Sequence, residues 1–293
     1  MNKIITIKRI QHSAIVLVTF AIAILSFRTT REFVTGFIVN DEMSYSVRMV
    51  LIFITLPIII TALLHRNHSP IAELGLKRNF RIGFGIAFLM CSPMLIGYMF
   101  FFKMSLPINQ LIAYCLLASI GEEVLFRGFL FGQLFRRAKW GIILAEFVEA
   151  LLFGLIHLHQ ANDISQALGI FAVTFFGGLW FAWLYVEWDY NLWISIGVHF
   201  LMNAYWYIFD VAHNALGGTT ANVFRLMTIL LSVYITIRHS RTRNNKMAIN
   251  WTNLIINKNP NETLFTKLRN WWRQPAHNIS LLQAGGTVRH RSV

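Results

Sequence analysis

Four sets of polar residues interrupt the apolar runs of this chain, and their spacing is where chemistry is expected. The first is Gly121-Glu122-Glu123-Val124-Leu125-Phe126-Arg127. Adjacent residues of a helix point about 100° apart, whereas residues four apart share a face. Glu123 and Arg127 can therefore pair, each neutralising the other in a medium of low dielectric. Glu122 is left without a partner, as a general base requires. The second is Phe153-Gly154-Leu155-Ile156-His157, with Phe153 and His157 on one face. The third is His199-Phe200-Leu201-Met202-Asn203, an imidazole and an amide directed at one point. The fourth, Glu146 and Glu149, shares a run with His157. Glu146 lies about 16 Å along the axis from that histidine, so the two acids read as supporting groups.

Each set has a plainer reading as a structural ion pair or an interhelical hydrogen bond. Taken together they describe a hydrolytic site. Glu122 would deprotonate a water, His157 would help orient it, and His199 with Asn203 would hold the oxyanion formed at a scissile carbonyl.

These groups must be carried by membrane spans. Of 293 residues 56% are hydrophobic and only 13% charged, about half the charge of an ordinary soluble domain. Mean hydropathy is +0.53. An all-α polytopic bundle is expected; a disordered chain, a coiled coil and a disulfide scaffold are excluded. Cys91 and Cys115 fall in apolar runs and read as small core residues. Eight spans near the ~20 apolar residues a bilayer requires are predicted, at 10–27, 47–64, 82–102, 108–134, 141–158, 166–186, 190–212 and 221–238. The first is taken as an uncleaved span. Three regions follow: N-terminal spans and loop (1–81), a core (82–238) and a basic polar tail (239–293), with a candidate amphipathic helix over 264–274 suited to an anionic leaflet.

The net charge is +13, and its placement is that of membrane topology, not of a nucleic-acid stripe. Lys3, Lys8 and Arg9 precede the first span; Arg66, Lys77, Arg78 and Arg81 lie in the second loop; Arg136, Arg137 and Lys139 lie in the fourth. The first, third, fifth and seventh loops hold only Arg28, Arg31, Arg48 and Lys103. The positive-inside rule therefore puts both termini in the cytoplasm, in an integral protein of a bacterial-type plasma membrane.

The three motifs together resemble the CAAX protease and bacteriocin-processing family, the abortive-infection or type II CAAX prenyl endopeptidases. The family pattern E-E-x-x-x-R, F-x-x-x-H and H-x-x-x-N is met at Glu122-Glu123-Arg127, Phe153-His157 and His199-Asn203. Leu74-Gly75-Leu76 looks like a segment found upstream in bacterial members. The resemblance implies an intramembrane endopeptidase. Glu122, His157, His199 and Asn203 would be catalytic, with Glu123, Arg127 and Phe153 in support. It also implies a membrane-associated peptide or protein, lipidated or not, as substrate. No cofactor is expected. The nearest rival is a zinc or other divalent-metal protease with Glu122, His157 and His199 as ligands. A non-catalytic bacteriocin-immunity or peptide-binding protein is the other alternative.

Overall fold

The computed structural model describes residues 2–242 and 247–258. The candidate helix 264–274 lies outside the described residues. Among those residues the secondary structure is helical, without a named strand. We label the long helices α1 (Asn2–Thr35), α2 (Asp41–Leu64), α3 (Phe80–Met90), α4 (Ser92–Phe101), α5 (108–137), α6 (Ile142–Ile156), α7 (Ile164–Glu187), α8 (Leu192–Ile208) and α9 (Thr219–Thr242). A single turn follows α6 over His157–Gln160.

Each expected span coincides with one of these helical stretches, but not each is a clear span. Five helices are long and apolar enough to cross a bilayer, and α3 with α4, bent by 46°, would make a sixth. Two stretches fall short for identifiable reasons. Helix α5 carries Glu122, Glu123, Arg127, Arg136 and Arg137. Helix α8 has 17 residues, about 25 Å of helix against a hydrocarbon layer of about 30 Å. The outer surface is apolar: Ile22, Leu25, Leu51, Phe100, Phe176 and Leu230 are all exposed, the shell of an integral membrane protein.

Cross-contacts sort the connections into two ends. At one, which we call basal, the Arg137 guanidinium holds Glu73, Trp140 donates to Ser13, and the Leu192 amide donates to Gly75. At the other, the Ser105 amide donates to the Ile208 carbonyl, and Ala215 donates to Gln160. Gly75 has φ +86°, and a Cβ there would lie 2.3 Å from the Tyr190 carbonyl oxygen. Only glycine suits that turn, which seats the Leu-Gly-Leu segment against the start of α8.

The polar stretch from His239 begins inside α9. Residues 247–257 then pack on the basal end. Glu187 accepts from the amides of Ala248 and Ile249, and Asn257 donates to the Phe135 carbonyl. Cys91 and Cys115 are free and buried.

Helix α5 is irregular where it matters. Its hydrogen bonds widen to the π pattern over Leu111–Leu117, Glu123–Phe131 and Gln133–Arg137. Such widening is frequent at functional sites. Gly121 lets α2 approach: a Cβ there would lie 2.4 Å from the Met49 sulfur.

Candidate active site

Glu122 and Glu123 diverge as helix geometry dictates. Glu123 turns into the core and is wholly buried, as is Arg127. Arg127 Nη1 donates to Glu123 Oε1 at 2.9 Å. On the other side Arg127 Nε stands 3.3 Å from Oε1 of Glu149 on α6. The guanidinium is thus flanked by two carboxylates and faces the Phe153 ring at 4.3 Å. Cation–π contact and two counter-charges together offset desolvation of the cation.

Glu122 instead faces a cavity of about 1720 Å³, lined also by Phe153, His157, Phe181, His199 and Asn203. Three helices supply these groups. His157 sits where α6 ends, and its Nδ1 donates to the Phe153 carbonyl at 2.7 Å, an acceptor left over at the helix terminus. His199 Nδ1 lies 2.8 Å from Glu123 Oε1, and its ring stacks on Phe181 at 5.3 Å. A carbonyl and a carboxylate can only accept, so both Nδ1 atoms carry hydrogen. Both Nε2 atoms are thereby turned to Glu122, each 3.9 Å from Oε2. That exceeds a direct hydrogen bond of about 2.7–3.2 Å. A water seated beside the line between them could touch all three.

The structure thus brings Glu122, His157, His199 and Asn203 to one cavity. It places Glu123 and Arg127 behind it as the groups that hold His199. Phe153 supports from two sides, under Arg127 and against His157, whose ring lies 4.5 Å away. Glu146, half-buried, is not in the cavity wall. Glu149, read from the sequence only as a supporting acid, meets Arg127 across two helices. Phe181, one of 25 phenylalanines, had no sequence signal.

Compared with known families, residues 104–205 match the family model described as Type II CAAX prenyl endopeptidase Rce1-like. The match spans all three motifs save that it ends two residues after Asn203. It accords with the family resemblance read from those motifs, and with a CAAX-type membrane protease in general. Comparison with curated proteins and with solved structures gave no match.

Proposed function

We propose that this chain is an intramembrane endopeptidase that hydrolyses a peptide bond with a glutamate-activated water. The observation that carries the reading is the convergence of Glu122 Oε2 with His157 Nε2 and His199 Nε2, each pair 3.9 Å apart, in the wall of one cavity. Glu122 accepts the proton of a water held between it and His157. The water oxygen attacks the substrate carbonyl. The carbonyl oxygen becomes negative and is received by Asn203 and His199, whose ring the Glu123 carboxylate holds as the acid of a catalytic triad holds its histidine. Glu122 then returns the proton to the leaving amine, which closes the cycle.

A divalent-metal reading is favoured by one specific observation. Histidine ligands usually donate their second nitrogen to a carboxylate or carbonyl, and both histidines here do so. Tetrahedral zinc at about 2.0–2.2 Å from each ligand sets neighbouring ligand atoms about 3.3–3.6 Å apart, somewhat closer than the 3.9 Å found. No step above is routed through metal.

The substrate is proposed to be a membrane-associated peptide or protein. Peptidomics of cells carrying the wild type or Glu122→Gln tests the reading. Peptides that persist uncut only in the variant are expected. An unchanged peptide profile, with the variant folded at normal levels, would reject it.

A further inference from the structure

We propose that the cavity contains a subsite for an oxyanion-bearing group, built from Arg48 with Arg28 and Arg31. All three line the same cavity as Glu122. Arg48 is 7% exposed. Its Nη1 donates to the Phe27 carbonyl at 2.7 Å, and its guanidinium lies 4.6 Å over the Phe27 ring. The Nε–H is buried without a partner, which is unfavourable in a protein interior. Among the described residues no carboxylate stands within ion-pair distance of any of the three arginines. Asp41 and Tyr45 of α2 line the same wall. A buried guanidinium with an unused donor, backed by two further cations on α1, is suited to a carboxylate or phosphate.

This deepens the protease reading of the same cavity, but its test needs no turnover. Binding is measured to the Glu122→Gln protein in nanodiscs with two probe pairs. One pair is dodecanoyl-diglycine and its C-terminal amide; the other is dodecyl phosphate and dodecanol. The anionic member of at least one pair should bind about ten-fold tighter. Arg31→Gln, on the exposed rim, should remove that preference without unfolding the protein; Arg48→Gln should do the same if it folds. A preference within the first pair assigns a peptide C-terminus, and one confined to the second assigns a phosphate headgroup. Equal binding within both pairs, or a preference that survives Arg31→Gln, overturns the subsite.

An independent observation concerns the side from which the cavity is reached. Its wall includes Ser105, His159, Asp210 and Asn214, from the connections at the end opposite the basal one. No residue of the basal connections 65–79, 138–141 or 188–191 lines it. Those basal connections hold Arg66, Lys77, Arg78 and Lys139, and Lys8, Arg9, Arg136 and Arg137 lie beside them. The other end carries fewer, with Arg28, Arg31, Arg48 and Arg225 in the cavity wall and Lys103 beside it in the chain. The charge asymmetry then leaves the cavity mouth on the exoplasmic face. We infer that the substrate is an exoplasmically exposed segment of a membrane-attached chain.

Thiol labelling tests this without reference to catalysis. The two native cysteines are buried, so single cysteines can be added at Asn214 and at Lys77. In intact cells a membrane-impermeant maleimide should label Asn214→Cys. It should label Lys77→Cys only after permeabilisation. The reverse pattern overturns the assignment.

Discussion

Glu123 Oε1 receives two donors at once, Arg127 Nη1 at 2.9 Å and His199 Nδ1 at 2.8 Å. This single oxygen joins the structural ion pair to the catalytic imidazole. It fixes which nitrogen of His199 faces Glu122. Glu123→Gln keeps the shape but can present an amide N–H to Nδ1, reversing the tautomer. We expect turnover to fall by about 10²–10⁴ with the Michaelis constant little changed. Thermal stability should fall less than in any variant lacking Arg127. Steady-state kinetics and melting of the purified variant, once a substrate is in hand, check both. Unchanged turnover would mean that His199 does not depend on this contact.

Arg127 predicts a different failure. It is fully buried between Glu123 and Glu149 and is absent from the cavity wall, so it does not touch substrate. Arg127→Ala leaves two carboxylates uncompensated, at a cost of about 3–5 kcal/mol. Loss of accumulation and of melting temperature should come before any loss of intrinsic activity. Adding Glu149→Leu should recover part of the stability, because it removes one of the stranded charges. Melting curves in detergent for the single and double variants decide this. If Arg127→Ala is stable yet inactive, the residue has a role beyond the ion network.

How much of this was legible in the sequence follows from range. The pairs Glu123–Arg127, Phe153–His157 and His199–Asn203 repeat at four residues, so helix periodicity alone placed each on one face. The apolar runs located the helices for the same reason. Contacts between helices carry no such spacing. Glu149 lies 22 residues beyond Arg127, and nothing in its neighbours marks it as the second carboxylate. Arg48 counted only as a loop charge, although it is buried against Phe27. The π turns of α5 also left no trace in the apolar periodicity.

The basal end supplies a pH-dependent contact. Burial works against ionisation of Glu73, but hydrogen bonds and charge from Arg137, with Arg136 behind, outweigh it and hold the carboxyl below its ordinary value. A depressed carboxyl stabilises the fold above its unfolded pKa of about 4.3, and that stabilisation is lost as pH falls through the folded pKa. Glu73→Gln should therefore melt below wild type at pH 7. The difference should shrink as pH drops below about 4. A gap independent of pH would show that the Glu73 contribution is not electrostatic.

His199 and Asn203 distinguish water chemistry from metal chemistry. If both receive the oxyanion, both act on the transition state more than on substrate binding, because that charge exists only after attack. Removing one such donor costs about 10²–10³ in turnover. Asn203→Ala should lower the maximal rate with little change in the Michaelis constant. Since the two side chains lie one turn apart on α8 and serve one oxygen, their losses should not add. The double variant should fall well short of the product of the single losses. A metal site predicts otherwise. There His199 Nε2 is a ligand, its loss empties the site, and Asn203 matters far less. Added zinc or cobalt would partly rescue a weakened His199→Asn variant, and a chelator would silence the wild type. Kinetics of both single variants and the double, with and without added metal, separate the two. A large His199 effect beside a negligible Asn203 effect would end the oxyanion assignment for this pair.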